Sequence, residues 1–213
     1  MENAEKGVHK CTGGNRLLIV GIIVCISTTM VMAGLFISVK LKSDEKVEQC
    51  SLPCTNDGTC KVCGNEYVCD CPPNSLGSLC QYTCDIGWSL YETTCFNIST
   101  QFLSWNLAKD SCRSMDGRLA EPTTEGKHAF IQQLYDDSHV TAQDWLWLGG
   151  TDMDSEGTWI WEYSNKTLDL TFWRPGEPND DGSEDCLATH AGVWNDIPCT
   201  GEQQFVCEKS IAT

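Results

Sequence analysis

The sequence predicts an α+β fold for the C-terminal part of the chain, residues 84–208. Two segments with apolar residues at helical spacing come early in this part, and short segments with alternating aromatic and aliphatic residues follow them. Early helices followed by short strands are typical of α+β domains. Seven of the eight tryptophans lie between Trp105 and Trp194, and we expect those at strand spacing to belong to the core.

The individual elements follow from these patterns. The first predicted helix carries Trp105 and Cys112 on one face and ends near Gly117. A second helix is predicted over residues 124–134. The predicted strands are WLWLGG (145–150), TWIWEY (158–163), EDCLATH (184–190), VWNDIPC (193–199) and QQFVCEK (203–209).

Charge and cysteine content narrow the class of protein. The net charge is −16 and no cluster of lysine and arginine is present, which argues against nucleic acid or anionic lipid as a partner. Thirteen of the fifteen cysteines follow residue 49. Their scattered spacing and the four histidines do not fit zinc sites, so we expect disulfides formed in an oxidising compartment.

An apolar segment near the N-terminus predicts a membrane anchor. Residues 17–39 contain no charged side chain. As a helix they would span about 35 Å, which is enough to cross a bilayer. A cleaved signal peptide is the alternative, with Val31 and Ala33 at the cleavage site, but its apolar region is expected to run to roughly 15 residues.

The orientation of the anchor follows from the cysteines and from two glycosylation sequons. Lysine and arginine are equally frequent on the two sides of the segment, so they do not decide it. The sequons at Asn97 and Asn165, like the disulfides, belong outside the cell. We therefore expect a single-pass type II protein of the plasma membrane, with a cytoplasmic tail (1–16) and a short extracellular stalk (40–49).

Residues 50–80 hold a cysteine pattern, C-x3-C-x5-C-x8-C-x-C-x8-C, in a segment too short to bury an adequate core without disulfides. The pattern resembles an EGF-like module, and CDCPPNSLGSLC (69–80) is similar to that family's closing signature. The resemblance implies a spacer without its own metal, because Lys46 stands where calcium-binding relatives have an acid. It also implies the pairs Cys50–Cys60, Cys54–Cys69 and Cys71–Cys80.

Cys63 is an extra cysteine in this pattern. The pairing above leaves it over, and an odd extracellular cysteine indicates intermolecular pairing or a reactive thiol. A homodimer linked through Cys63 is one expectation. The alternative is a different pairing within the module that leaves Cys60 over.

The run EPNDDGSEDC (177–186) contains five carboxylates and no basic residue. Such a run is often a solvated acidic loop. A Ca²⁺ ion, which takes about six to eight oxygen ligands, would also neutralise the charge. A cis bond before Pro178 would turn the side-chain oxygens of Glu177 and Asn179 toward one point. These residues are therefore candidate metal ligands.

Residues 84–207 resemble a C-type lectin domain in its long form. The motifs that carry the resemblance stand in the family's order: GW (87–88), WLGG (147–150), GTWIW (157–161), EPN (177–179), EDC (184–186), WND (194–196) and FVC (205–207). The resemblance implies two helices, short antiparallel strands and a calcium-bound long loop. It also implies the disulfides Cys84–Cys95, Cys112–Cys207 and Cys186–Cys199.

The resemblance further implies two calcium ions and a sugar site. The principal calcium, and the sugar hydroxyls on it, would be held by Glu177, Asn179, Glu184, Asn195 and Asp196. The auxiliary calcium would be held by Asp152, Glu156, Asp180 and Asp185. EPN implies mannose-type sugars (mannose, fucose and N-acetylglucosamine), whereas QPD would imply galactose. Asp181 departs from relatives that offer an apolar contact there.

The sequence thus predicts a calcium-dependent membrane receptor for mannose-type glycans or glycoproteins. The alternative is a C-type lectin-like receptor for a protein ligand, but such domains typically lose the motifs that this chain keeps. An enzyme is not expected. Paired carboxylates are typical of glycosidases, but bound calcium would hold these ionised and leave no general acid.

Overall fold

The computed structural model describes residues 50–138 and 145–211. The predicted cytoplasmic tail (1–16), membrane helix (17–39) and stalk (40–49) lie outside these residues, so those predictions stay untested. Within the described part of the chain, neither helix is both long enough and apolar enough to cross a bilayer.

The first described part is a disulfide-rich segment, residues 50–83. It contains two small antiparallel pairs of strands, β1 (Thr59–Cys63) with β2 (Glu66–Asp70) and β3 (Ser75–Leu76) with β4 (Tyr82–Thr83). Gly64 begins the turn between β1 and β2 with φ +65°, a conformation that suits glycine. Three disulfides cross-link the segment in the order that the resemblance implies: Cys50–Cys60, Cys54–Cys69 and Cys71–Cys80.

Cys63 at the end of β1 is also disulfide-bonded. The argument that Cys63 is left over for a second chain therefore loses its basis, and with it the expected homodimer. The alternative with Cys60 left over does not hold either, because Cys60 pairs with Cys50.

The disulfide-rich segment is docked on the following domain, although the sequence predicts only a spacer. The Asn74 side chain accepts a hydrogen bond from the Leu90 N–H at 2.6 Å and donates one to the Trp88 carbonyl oxygen at 3.0 Å. Leu76 and Tyr82 pack against the domain's core. Contacts of this kind restrict the relative movement of the two parts.

The domain that follows has a nine-stranded sheet and two helices, which confirms the predicted α+β class. The strand order along the main path is β10-β9-β8-β13-β6-β5, and the pairs are antiparallel except for β8 with β13. Its strands are β5 (Ser89–Tyr91), β6 (Thr94–Ile98), β7 (Arg118–Leu119), β8 (Leu146–Thr151), β9 (Ile160–Trp161), β10 (Lys166–Thr167), β11 (Cys186–His190), β12 (Val193–Ile197) and β13 (Gln204–Ser210).

Two expectations about the strands were wrong. The hairpin of β5 and β6 precedes both helices, whereas the sequence predicts helices first. The strand predicted over residues 158–163 shrinks to Ile160–Trp161, because the chain turns on either side of it. The Thr158 N–H bonds back to Ser155, and the Asn165 N–H bonds back to Trp161.

The two helices lie close to their predicted positions. Helix α1 (Trp105–Ser114) buries Trp105, Ala108 and Cys112, and the disulfide Cys112–Cys207 ties it to β13. Helix α2 (Glu125–Asp137) begins where the Thr124 hydroxyl accepts the Lys127 N–H at 3.2 Å. It ends three residues later than predicted. Its last turn carries a buried tyrosine followed by two aspartates, a sequence without a clear apolar period.

Tryptophans form much of the core, as predicted. Trp105, Trp147, Trp161 and Trp194 are essentially inaccessible to solvent. The indole of Trp105 donates to the Leu148 carbonyl oxygen at 2.8 Å, so its polar atom is satisfied. The remaining implied disulfides, Cys84–Cys95 and Cys186–Cys199, are also present.

The two sequon asparagines differ in exposure. Asn165 is exposed in the turn before β10. Asn97 in β6 is half-buried, and its Nδ2 donates to the Gly87 carbonyl oxygen at 2.7 Å. A glycan attached at Asn97 would take one hydrogen from that donor, so Asn165 is the more accessible position. Glycosylation at both stays a prediction.

Candidate functional site

The acidic run forms a loop between β10 and β11, and its first turn brings Glu177 next to Asn179. The Glu177 N–H donates to the Arg174 carbonyl oxygen at 3.0 Å, which closes a tight turn. The Glu177–Pro178 peptide bond is cis. The Asn179 Nδ2 group donates to Glu177 Oε2, so the two side chains lie on the same side of the loop.

Asp196 in β12 fixes this loop to the sheet. One of its carboxylate oxygens, Oδ2, accepts the backbone N–H groups of Asn179 at 2.9 Å and Asp180 at 2.8 Å. The side chain is almost completely buried, and Oδ1 has no hydrogen-bond partner among the described residues. A buried carboxylate oxygen without a partner is costly, and a bound cation would satisfy it.

Asn195 and Glu184 complete the predicted principal set. Asn195 is buried beside Asp196, and its Oδ1 accepts from Arg174 Nη2 at 3.3 Å. Burial raises the pKa of the Glu184 carboxyl, and the nearby charges of Asp196, Asp181 and Glu177 raise it further. All five predicted residues therefore lie around one part of the loop, within hydrogen-bonding or electrostatic reach of one another.

The predicted auxiliary site shows the tightest convergence of acids in the described part of the chain. One carboxylate oxygen from each of Asp152, Glu156 and Asp185 lies within 4.8 Å of the others. Asp152 Oδ2 accepts the Gly157 N–H at 2.9 Å, while the buried Oδ1 has no partner among the described residues. This oxygen repeats the arrangement found at Asp196.

The charges of this cluster are mutually unfavourable without a cation. The pKa of Asp152 is raised by burial and then by the charge of Asp185. The pKa of Glu156 is raised by desolvation, and then by Asp152, Asp180 and Asp185. Asp180, the fourth predicted ligand, is close enough to act on Glu156 but lies outside the group of three. Its Oδ1 accepts the Glu184 N–H at 3.0 Å instead.

Comparison with known proteins gives the family. The family model described as Lectin C-type domain matches residues 101–209, about half of the chain. The chain belongs to the C-type lectin domain family. This membership confirms that it is not an enzyme, because proteins of this family are binding proteins that do not catalyse reactions.

Individual relatives extend this result. The lectin domain is similar to a CD209 antigen-like protein C of Mus musculus (29% identity over 139 residues, 64% of this chain and 75% of that protein). It is also similar to a hepatic lectin of Gallus gallus (35% over 127 residues, 58% of each chain). The chain thus spans little more than half of the second relative's length, and the similarity concerns the lectin domain.

Among solved structures, the fold is similar to the carbohydrate-recognition domain of cow CD23, determined in the presence of a GlcNAc2Man3 oligosaccharide. The identity is 31% and the TM-score is 0.55, with 62% of this chain and 98% of that chain covered.

Arg174 is the residue of this C-type lectin domain that sequence reasoning missed. Between Asp152 and Asp196 the sequence contains eleven acidic residues and two basic ones, Lys166 and Arg174, so Arg174 does not stand out. In the structure its Nη2 donates to Glu177 Oε1 at 2.6 Å and reaches Asn195. The position three residues before Glu177 is the only signal in the sequence, and it becomes informative once the tight turn is known.

Proposed function

We propose that the chain is a calcium-dependent membrane receptor that binds mannose-type glycans, such as those bearing mannose, fucose or N-acetylglucosamine. The observation that carries the proposal is Asp196, which adjoins the turn of Glu177 and Asn179 and whose buried Oδ1 has no hydrogen-bond partner in residues 50–138 and 145–211. The donors around it are carboxylate and amide oxygens, which are the ligands that calcium prefers.

The ligand side chains would read the stereochemistry of the sugar. A bound calcium ion would supply open coordination positions for two neighbouring sugar hydroxyls. Carboxylates such as Glu177 and Glu184 can only accept hydrogen bonds, while amides such as Asn179 and Asn195 donate through their NH₂ groups. Each hydroxyl can therefore donate to an acid and accept from an amide. Such a fixed pattern favours hydroxyl pairs of one geometry.

The rest of the proposal rests on the sequence and on the neighbouring cluster. Asp152, Glu156 and Asp185, with Asp180 close by, would hold a second calcium that stabilises the long loop. Residues 50–80 form an EGF-like module, residues 17–39 anchor the chain in the plasma membrane, and the lectin domain faces outward. A single monosaccharide site binds weakly, so glycoproteins with several mannose-type sugars are the proposed ligands.

Retention on a mannose resin tests the proposal. We expect the chain to be retained in a few millimolar calcium and to elute with a chelator, because the ion holds the sugar hydroxyls. Galactose resin is the matched control and should retain little protein. Retention in excess chelator would contradict the calcium site, and calcium-independent capture by a cell-surface protein would favour a receptor for protein ligands.

The double substitution Glu177→Gln with Asn179→Asp should shift the preference from mannose toward galactose. It exchanges a donor and an acceptor across the site while leaving the net charge unchanged. The measurement is the ratio of inhibition by mannose and by galactose. The single variants are controls, and each should lose sugar binding without gaining galactose. An unchanged ratio in the folded double variant would contradict the proposed role of these two residues.

A further inference from the structure

A cationic side chain borders the proposed sugar site. Arg174 is fixed through Nη2, which donates to Glu177 Oε1 at 2.6 Å and to Asn195 Oδ1 at 3.3 Å. Its guanidinium carbon lies 6.0 Å from the centre of the Trp145 ring. The side chain is nevertheless 49% exposed. One edge of the guanidinium is therefore held by the site, and much of the group still faces solvent.

The backbone also holds Arg174 in place. Its N–H donates to the Trp194 carbonyl oxygen at 2.9 Å, and its own carbonyl oxygen accepts the Glu177 N–H at 3.0 Å. A side chain that is already ordered loses little conformational entropy when it binds a ligand. Arg174 thus differs from an ordinary mobile surface arginine.

Two nitrogens of the Arg174 guanidinium, Nε and Nη1, donate no hydrogen bond to the described part of the chain. A guanidinium offers five N–H donors in a plane, and the hydrogen bonds of Arg174 use Nη2. The Nε and Nη1 hydrogens remain for a ligand. They lie on different edges of the guanidinium, so a sulfate or carboxylate group would accept a charge-assisted hydrogen bond from one of these two nitrogens.

Charges of both signs border the site. Arg174 donates to Glu177 and Asn195, and the charge of Asp181 acts on Glu184. An anionic substituent would be attracted near Arg174 and repelled near Asp181. The position of the substituent on a bound sugar therefore decides which charge it meets.

We propose that Arg174 forms an anion subsite, and that the preferred sugars carry a sulfate or carboxylate group beside the hydroxyl pair that binds calcium. This inference rests on the proposed function and narrows its ligand class. In a pyranose bound through its 3- and 4-hydroxyls, the substituents at positions 2 and 6 flank that pair. A charged group at one of these positions can reach Arg174 without displacing the hydroxyls.

The test is inhibition of the full chain's retention on mannose resin. The probes are N-acetylglucosamine, its 6-sulfate, mannose 2-sulfate and glucuronic acid, and each charged probe is compared with its neutral parent. We expect at least one charged sugar to inhibit about fivefold better at low salt, and this advantage should shrink in 0.5 M salt, where exposed ion pairs are screened. Comparing the two sulfated sugars with glucuronic acid shows whether the subsite prefers a sulfate or a carboxylate group.

The variants assign the effect to Arg174. Arg174→Gln should reduce the ratio of charged to neutral inhibition to about one, and Arg174→Lys should retain part of it. Lys166→Gln is the matched control, because it removes a positive charge from the same acidic region at an exposed position in β10. It should keep the wild-type ratio.

Several outcomes would overturn the subsite. These are equal inhibition by charged and neutral sugars in the wild type, an unchanged ratio in Arg174→Gln, and a ratio that salt does not alter. If Arg174→Gln no longer binds neutral sugar, its ratio of charged to neutral inhibition has no meaning. Two other ratios then test the subsite: the wild-type ratio must fall in 0.5 M salt, and Arg174→Lys must keep part of the wild-type ratio. Failure of the wild type to bind any sugar in calcium would instead overturn the proposed function, and the subsite with it.

Discussion

The substitution Asp196→Asn should abolish calcium-dependent sugar binding, with a loss of affinity of at least about 100-fold, because changes outside the first ligand shell already cost about 10–100-fold in metal affinity. Asp196 Oδ2 accepts two backbone N–H groups of the loop, and its buried Oδ1 is the oxygen left for calcium. Asparagine has one oxygen for both tasks. It can keep the loop in place only by presenting an NH₂ group, which cannot bind a cation, to the metal.

Asp154→Asn is the matched control for this prediction. Asp154 is an exposed acid in the same acidic region, and its removal changes the net charge by the same amount. It should leave retention on mannose resin and the calorimetric affinity for mannose unchanged. Circular dichroism of Asp196→Asn checks that the fold is retained. Wild-type sugar affinity in folded Asp196→Asn would reject the principal calcium site.

Much of the site could be predicted because its residues stand in a few short motifs. Glu177 and Asn179 flank a proline, and Asn195 adjoins Asp196, so each pair is close in space whatever the rest of the chain does. The sequence could not show that Asp196 keeps one oxygen buried, with no hydrogen-bond partner among the residues that the structure describes. That fact depends on the approach of the loop to β12, which brings together residues sixteen and seventeen positions apart.

Arg174 shows a second limit of prediction. In the sequence, Arg174 is one of few basic residues in an acidic region. Its role depends on a tight turn and on the position of Asn195. Neither leaves a periodic pattern in the sequence. Among the predicted auxiliary ligands, Asp152 and Asp185 converge, whereas the Asp180 side chain accepts the Glu184 N–H. The sequence alone does not show which of these acids converge.

The fold was predictable where hydrophobic periodicity controls it. The helix that buries Trp105 and Cys112 follows from spacing alone. The docking of the disulfide-rich segment does not, because it depends on Asn74, which bonds to backbone groups of Trp88 and Leu90, and on the packing of Leu76 and Tyr82 against the core. The short hairpin of β5 and β6 was missed because its pattern is too brief to stand out from a turn.

The acidic loop of the calcium-free chain should add stability as the pH falls from 7.5 toward about 4, the ordinary pKa of carboxyl groups, because carboxyls with raised pKa values take up protons over this range. Burial lowers the pKa of His128, so this histidine acts in the opposite direction, and equally in wild type and in variants of the loop. Burial and neighbouring acids raise the pKa values of Asp152 and Glu184 above their ordinary values. In the window between the ordinary and the raised pKa, the folded state binds more protons than the unfolded chain. The free energy of unfolding therefore falls as the pH rises through this window and recovers on acidification.

Calcium should reverse this behaviour. An ion that binds only the folded state at about 100 times its dissociation constant adds about 2.7 kcal/mol. For a chain of this size that corresponds to a rise in Tm of about 5–10 °C. Protons compete with calcium for the same carboxylates, so the increment should shrink as the pH falls. The curves of Tm against pH with and without calcium should converge toward acid.

The measurement is thermal unfolding of the disulfide-bonded chain from pH 7.5 to about 4, in calcium or in chelator. Asp152→Asn removes one of the raised carboxyls and should flatten the chelated curve, whereas Asp154→Asn should leave its slope unchanged. Glu208, whose pKa burial also raises, belongs to β13 and not to the predicted calcium ligands, so it contributes alike in both conditions and cancels in their difference. A calcium increment that is the same at pH 7.5 and about 4 would show that these carboxylates do not hold the ion. A chelated curve that is the same in wild type and Asp152→Asn would show that repulsion at Asp152 does not limit the stability of the metal-free loop, since His128 contributes alike to both.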